Sequence, residues 1–131
     1  MYEISAKFSI SSAHFLRGYE GKCKNLHGHN WKITVRLSGE KLKSNGMLVD
    51  FGELKKLMKN VEEELDHKCL NDVEIFKTKN PTAENIAEYI YSRMSRLLVE
   101  SGNGHAAVES VSIFETENCE AVYKPSVPVT S

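Results

Sequence analysis

The sequence predicts an α+β domain in which two helices pack on one face of an antiparallel sheet. Both ends of the chain alternate apolar and polar residues with the period of half-buried strands, whereas two stretches between them follow the helical period. The resulting order is ββααββ, and we detect no internal repeat, linker or low-complexity tract. Because 40% of the 131 residues are apolar and 27% are charged, residues 1–131 are predicted to form a single domain.

Two long strands are predicted first, over residues 2–14 and 27–38. Apolar residues occupy the even positions of the first strand, and His14 continues that parity. They occupy the odd positions of the second strand, where His27 and His29 share the apolar parity. The charged, glycine-containing segment between the strands is typical of the connection in an antiparallel hairpin. The three histidines are therefore predicted near one end of the inner face, provided that no β-bulge reverses the parity.

The first helix is predicted to begin at the sequence DFGE, residues 50–53, which resembles a capping box. Apolar residues then recur at the i, i+3, i+4 spacing of an amphipathic helix. This pattern ends at about Leu65, so Asp66 and His67 are predicted at the end of the helix.

The second helix is predicted to begin in the sequence NPTAEN, residues 80–85. Either Asn80, which precedes a proline, or Thr82 can serve as its N-cap. Isoleucine, methionine and leucine residues form its buried stripe, and the glycines at positions 102 and 104 end it.

The last segment alternates again and predicts two further strands. Val111 and Ile113 are apolar, and Glu115 lies on the same parity. A carboxylate that points inward needs a partner, so Glu115 is a candidate functional residue. A return strand is predicted around residues 121–123, before a tail that contains two prolines.

Composition and charge favour a small-molecule partner. The formal net charge is −1 at pH 7, which gives no electrostatic reason to expect nucleic acid or an anionic membrane. No signal-peptide pattern opens the sequence, and no apolar run approaches the roughly 20 residues that span a bilayer. We therefore expect a cytoplasmic protein. The three cysteines are scattered and odd in number, which favours reduced thiols.

The three histidines predict a metal site. Neutral imidazoles that converge on one point suit zinc, and three protein ligands leave one coordination position open for water or substrate. The alternative is that His14, His27 and His29 make only local hydrogen bonds. The i, i+2 spacing of the pair alone is a weak signal, and the third histidine on the matching face strengthens it.

Four further residues are candidates with open alternatives. Cys23 can be a fourth zinc ligand, a small apolar residue, or a base and nucleophile activated by its surroundings. Asp66 and His67 can end a helix, or an aspartate that orients an imidazole can serve proton transfer. Glu115 can pair with a lysine, or with a planar donor pair such as an amide N–H beside an amine.

Several sequence blocks, in order over nearly the whole chain, resemble one known family. They are SAHFL, CKNLHGHNW, GMLVDFGELK, LDHKCLND, NPTAENIA and IFETENCEAVY. Together they resemble the 6-pyruvoyltetrahydropterin synthase superfamily. The short spacing between Cys23 and the HGH pair resembles the branch of 6-carboxy-5,6,7,8-tetrahydropterin synthases, which act in queuosine biosynthesis.

The resemblance implies a fold and a role for each candidate. It implies zinc bound by His14, His27 and His29. It implies Cys23 as the catalytic thiol, Asp66 and His67 as its partners in proton transfer, and Glu115 as the residue that binds the pterin ring. The family fold is the tunnelling fold, whose subunits form barrel-like homo-oligomers, usually hexamers. Active sites there lie between subunits.

The resemblance also implies a lyase reaction. 7,8-Dihydroneopterin triphosphate would be converted to 6-carboxytetrahydropterin, acetaldehyde and triphosphate, with zinc as a Lewis acid. Three alternatives remain open at this point. The reaction could end at elimination of triphosphate, giving 6-pyruvoyltetrahydropterin, or it could be a side-chain cleavage that serves folate synthesis. The chain could also be a non-catalytic pterin-binding module in which Cys23 closes a structural zinc site.

Overall fold

The computed structural model describes residues 1–18, 21 and 24–126, and it confirms the predicted α+β fold. The elements in chain order are β1 (Tyr2–His14), β2 (His27–Gly39), α1 (Phe51–Leu65), α2 (Ala83–Glu100), β3 (Ala107–Thr116) and β4 (Cys119–Tyr123). Two short 3₁₀ turns, Leu70–Asp72 and Glu74–Lys77, lie between the helices and were not predicted. Neither helix in this part of the chain is long and apolar enough to span a bilayer.

The four strands form one antiparallel sheet in the order β1-β2-β3-β4. The first pair is in continuous register from Tyr2 opposite Gly39 to His14 opposite His27. No bulge interrupts this pair, so the alternation seen in the sequence holds along both strands. The register shifts once between β2 and β3, at Arg36 and Leu37, far from the histidines along the strand.

The core lies between one face of the sheet and the two helices. Trp31, Ile33, Val35 and Leu37 are fully buried on β2, as the odd-position pattern predicts. The helices contribute the apolar stripes found in the sequence, which are Leu54, Leu57, Met58, Val61 and Leu65 from α1 and Ile86, Ala87, Ile90, Met94 and Leu98 from α2. The histidines on the inner face of β1 and β2 therefore lie next to the core.

Side-chain caps fix where the helices begin. The Asp50 carboxylate accepts hydrogen bonds from the backbone N–H groups of Gly52 and Glu53, at 2.7 and 3.3 Å. The Glu53 carboxylate in turn accepts a hydrogen bond from Asn103 Nδ2 at 2.9 Å. Of the two predicted caps for α2, Thr82 is the one used, since its hydroxyl accepts from the Asn85 N–H at 3.1 Å.

Candidate metal centre

The β1-β2 pair brings the three histidines together. The register places His14 opposite His27, and His29 follows on the same face of β2. The ring centroids lie 4.6 Å apart for His14 and His27, 4.8 Å for His27 and His29, and 5.2 Å for His14 and His29. The Trp31 indole packs edge-on against His14 and His29, at 4.9 and 5.1 Å, and closes the site toward the core. The convergence predicted from alternation is thus present in the structure.

Backbone carbonyl groups determine the tautomers of two imidazoles. His14 Nδ1 lies 2.7 Å from the carbonyl oxygen of Pro81, and His27 Nδ1 lies 2.7 Å from that of Asn25. A carbonyl oxygen only accepts hydrogen bonds, so both Nδ1 atoms carry the proton. Both Nε2 atoms therefore present lone pairs, and they face each other at 3.0 Å.

Glu115 joins the histidines from β3. Its Oε1 atom lies 3.2 Å from His14 Nε2 and 3.3 Å from His29 Nε2. One ligand atom from each of these four residues lies within 4.8 Å of the others. The sequence predicted the inward direction of Glu115 but not its proximity to the histidines, because parity gives the face and not the neighbour across the sheet.

The donor set fits a divalent cation. Lone pairs on His14, His27 and Glu115 face one another with no proton between the His14 and His27 rings. Among the described residues, buried His29 Nε2 has no hydrogen-bond partner, although Glu115 Oε1 lies 3.3 Å from it. Such an arrangement of acceptors is unfavourable unless a cation lies among them. Ligands about 2.0–2.1 Å from a tetrahedral zinc ion would be about 3.3 Å apart. The His14–His27, His14–Glu115 and His29–Glu115 ligand atoms are separated by 3.0, 3.2 and 3.3 Å, and all four atoms lie within 4.8 Å of one another. These residues could therefore hold a metal ion.

Burial favours the neutral form of two of the imidazoles, His14 and His29. Burial is the main cause that lowers the pKa of His14, which is 1% exposed, although the hydrogen bond to Pro81 acts in the opposite direction. Burial likewise lowers the pKa of His29, while the nearby charge of Glu115 raises it. A neutral imidazole is the form that binds metal, so protons compete weakly with a cation at this site.

Asp66 and His67 form a separate pair at the outer edge of β1. Asp66 ends α1, and His67 follows in a left-handed conformation with φ of 55°. His67 Nδ1 lies 2.8 Å from Asp66 Oδ2, and the backbone N–H of Ser11 donates to Asp66 Oδ1 at 2.8 Å. The Ser11 hydrogen bond is the main cause that lowers the pKa of Asp66, with a further contribution from His67. The His67 side chain is 82% exposed.

One surface cavity of about 510 Å³ connects the four-residue cluster with the Asp66–His67 pair. His29 and His67 both line it, together with Lys68 and Cys69. Among the described residues, no hydrogen bond or ion pair joins His67 to the four-residue cluster. The predicted catalytic thiol, Cys23, lies outside the residues that the structure describes.

Sequence reasoning missed the backbone groups that orient the site. The carbonyl groups of Asn25 and Pro81 hold two of the imidazoles, and carbonyl positions leave no mark in a side-chain pattern. The one available signal for the Pro81 carbonyl was that NPTAEN lies directly before α2. A capped helix start holds the adjacent backbone in place, so a carbonyl group there has a fixed position.

Comparisons with known proteins show which family the chain resembles in sequence and fold. Residues 3–126 match the family model described as 6-pyruvoyl tetrahydropterin synthase. The chain is 31% identical over 146 residues to a 6-carboxy-5,6,7,8-tetrahydropterin synthase of Haemophilus influenzae, covering 95% of this chain and 99% of that one. It is 35% identical over 136 residues to the 6-pyruvoyl tetrahydrobiopterin synthase of Homo sapiens, covering 93% and 90%.

A solved structure shows the same fold. The 6-pyruvoyl tetrahydropterin synthase of Caenorhabditis elegans superposes with a TM-score of 0.84 at 33% sequence identity, and the match covers 95% of this chain and 96% of that one. A family match over nearly the whole sequence, relatives above 30% identity and a shared fold lead to one conclusion. The chain belongs to the 6-pyruvoyl tetrahydropterin synthase family.

Proposed function

We propose that the chain is a zinc-dependent 6-carboxy-5,6,7,8-tetrahydropterin synthase of queuosine biosynthesis, acting in the cytoplasm. It would convert 7,8-dihydroneopterin triphosphate and one water molecule to 6-carboxytetrahydropterin, acetaldehyde and triphosphate. The observation that carries the proposal is the cluster of three imidazoles and one carboxylate within 4.8 Å, beside a cavity that His67 also lines. The activity named for the Haemophilus influenzae relative supports the choice of reaction.

His14, His27 and His29 would hold the zinc ion through their Nε2 atoms. The bound ion would supply Lewis-acid polarisation of a substrate oxygen. The carbonyl groups of Pro81 and Asn25 keep two of the rings in the tautomer that offers Nε2. Trp31 excludes water from the side of the site that faces the core.

Glu115 would bind the pterin ring. An ionised carboxylate accepts two parallel hydrogen bonds, which matches an amide N–H beside an amine. In the described structure Oε1 points toward His14 and His29, so Glu115 can also act as a fourth ligand when no substrate is present. A side chain that is 31% exposed remains accessible to a substrate.

Asp66 and His67 would move protons together with Cys23. The Asp66 carboxylate orients the ring through Nδ1, so His67 Nε2 is the atom available to the substrate. Cys23, in its thiolate form, would be the second base. The assignment of individual protons to His67 or Cys23 is part of the proposal.

The active site would be completed between subunits of a homohexamer. Two observations support this arrangement. His67 is 82% exposed, and within the described ranges no hydrogen bond or ion pair joins it to the histidine cluster, although it lines the same cavity as His29. A group that must reach the same substrate can then be supplied by a neighbouring copy of the chain.

The test is identification of the product. Zinc-loaded protein is incubated with 7,8-dihydroneopterin triphosphate, and mass spectrometry identifies the pterin and any acetaldehyde. A carboxylated tetrahydropterin with acetaldehyde is the expected result. The Glu115→Gln variant, which keeps the shape but changes one acceptor into a donor, should weaken substrate binding strongly. Unchanged substrate from folded, zinc-replete protein would overturn the enzyme proposal in favour of a binding module.

The second candidate is 6-pyruvoyltetrahydropterin synthesis. Its supporting observations are the 35% identity to the human 6-pyruvoyl tetrahydrobiopterin synthase and the TM-score of 0.84 to the Caenorhabditis elegans protein. In this reaction triphosphate is eliminated but the side chain is not cleaved. The same incubation separates the candidates, since only the first one releases acetaldehyde.

A further inference from the structure

β1 lies at the edge of the sheet, so its outward backbone groups need partners from elsewhere in the chain. The segment after α1 supplies the first ones. Ser11 N–H donates to Asp66 Oδ1 at 2.8 Å, and the Ser11 carbonyl accepts from the His67 N–H at 2.8 Å. The Ala13 N–H then donates to the Lys68 carbonyl at 3.0 Å. Two alternate residues near the end of the strand, Ser11 and Ala13, are thus bound along this edge.

Two asparagine side chains continue the same pattern past the end of the strand. Asn71 Oδ1 accepts from the Phe15 N–H at 2.9 Å, and Asn71 Nδ2 donates to the Phe15 carbonyl at 3.0 Å. Asn80 does the same for Arg17, with distances of 3.0 and 2.9 Å. A side-chain amide offers one acceptor and a donor in the arrangement of a peptide group, so each asparagine replaces one residue of a neighbouring strand.

The second asparagine is joined directly to the group that orients His14. Asn80 precedes Pro81, whose carbonyl accepts from His14 Nδ1 at 2.7 Å. The Asn80 carbonyl accepts from Asn85 Nδ2 at 2.9 Å, which ties it to the first turn of α2. The chain from His14 to Arg17 and the chain from Asn80 to Pro81 are therefore held to each other at both ends.

We propose that Asn71 and Asn80 are positioning residues of the metal centre. Lys68 and Asn71 hold the backbone of Ala13 and Phe15, the two neighbours of His14. Asn80 holds Arg17 and fixes the Pro81 carbonyl that receives the His14 ring. Together they set the direction of the His14 side chain, so that Nε2 faces the other ligands. This inference rests on the proposed metal centre, and it assigns a function to two residues that are not among the four candidate ligands.

The test compares cobalt binding by the wild-type chain with that by Asn71→Ala and Asn80→Ala. Cobalt(II) is the probe because its visible absorption reports both affinity and ligand geometry. Loss of a partner that orients a metal ligand typically weakens metal binding by about 10- to 100-fold, and we expect a loss in this range for each variant. The absorption spectrum of the bound ion should change as well, since His14 would no longer be held in one orientation.

Asn103→Ala is the matched control. Asn103 is 1% exposed and its amide binds Glu53, Ser101 and Lys43, but it lies beyond the opposite end of α2, a helix about 27 Å long. Its loss should lower Tm while leaving cobalt affinity and spectrum unchanged. A merely structural role for Asn71 and Asn80 predicts the same behaviour for all three variants.

The outcomes separate the two proposals. If the wild-type chain binds no cobalt, the proposed metal centre fails and the inference fails with it. If the wild-type chain binds cobalt and both alanine variants bind it with the same affinity and spectrum, the inference alone is overturned. If an alanine variant does not fold, the Asn71→Ser and Asn80→Ser variants replace it under the same criterion, because a single hydroxyl oxygen does not reproduce the separate donor and acceptor atoms of the amide.

Discussion

One hydrogen bond in each ring decides which nitrogen of His14 and of His27 is available to a metal ion. Pro81 and Asn25 each accept one imidazole proton, and this leaves His14 Nε2 and His27 Nε2 as bases that face each other. Within the described part of the chain, the buried His29 Nε2 has no hydrogen-bond partner, so the orientation of this ring depends on the cluster itself. A metal ion would accept the lone pairs of all three Nε2 atoms at once.

Replacement of His29 tests this interpretation. We expect His29→Ala to weaken zinc binding by more than the roughly 10- to 100-fold that loss of an orienting partner costs, because a ligand is lost outright. Zinc content after dialysis, measured by elemental analysis, checks the expectation. His105→Ala is the control, since His105 bonds the Leu48 carbonyl outside the cluster. Equal zinc content in both variants would contradict the assignment.

The Asp66 carboxylate predicts a dependence of stability on pH. Its pKa is lowered in the folded chain from the ordinary value of 3.8, mainly by the Ser11 hydrogen bond. Its contribution to the free energy of unfolding is therefore complete above pH 3.8 and disappears as pH falls through the lower, folded pKa.

We accordingly expect Asp66→Asn to have a lower Tm than the wild-type chain at pH 7, and the difference to shrink when pH falls below 3.8. Thermal unfolding followed by circular dichroism measures both values. Asp72→Asn, at an exposed position, serves as the control. A Tm difference that stays constant from pH 7 to pH 2 would show that the Asp66 charge does not contribute.

At the scale of the elements, the spacing of apolar residues predicted the strands and helices that the structure contains. The strands and helices follow from alternation and from the i, i+3, i+4 stripes, because each has one buried face. The sequence could not show that residues 66–71 bind the edge of β1, because those bonds join backbone and side-chain groups far apart in the chain. For the same reason it gave the inward direction of Glu115 but not its contacts with His14 and His29.

The N-cap of α1 gives a prediction at this scale. Asp50→Ala removes the acceptor of the Gly52 and Glu53 N–H groups and should lower the free energy of unfolding by about 1 kcal/mol. Chemical denaturation at pH 7 measures the difference. Glu63→Ala, an exposed acidic residue within the same helix, should change stability by less than about 0.5 kcal/mol. Equal losses in the two variants would indicate a general charge effect.

For the whole molecule, metal binding and folding should be linked. The four candidate ligands come from β1, β2 and β3, so they are close together only when the sheet has formed. A ligand that binds the folded state alone stabilises it according to its concentration relative to Kd.

Removal of the metal is thus expected to lower stability. Free zinc at 100 times its Kd should raise the free energy of unfolding by about 2.7 kcal/mol over the chelated protein. Differential scanning calorimetry with and without a chelator measures the effect, and zinc added back should restore it. Magnesium, which prefers oxygen ligands, is the control and should not substitute. An unchanged Tm after chelation would argue against a bound metal.

The contact between His14 and Pro81 couples metal binding to the conformation of the first turn of α2. Thermodynamic coupling is reciprocal, so an ion that holds His14 in place must also hold the Pro81 carbonyl that receives its proton. Thr82, the N-cap of α2, follows Pro81 immediately. Fraying of that turn would release the imidazole, and occupancy of the site would suppress the fraying. The start of a core helix thereby becomes a reporter of whether the site is filled.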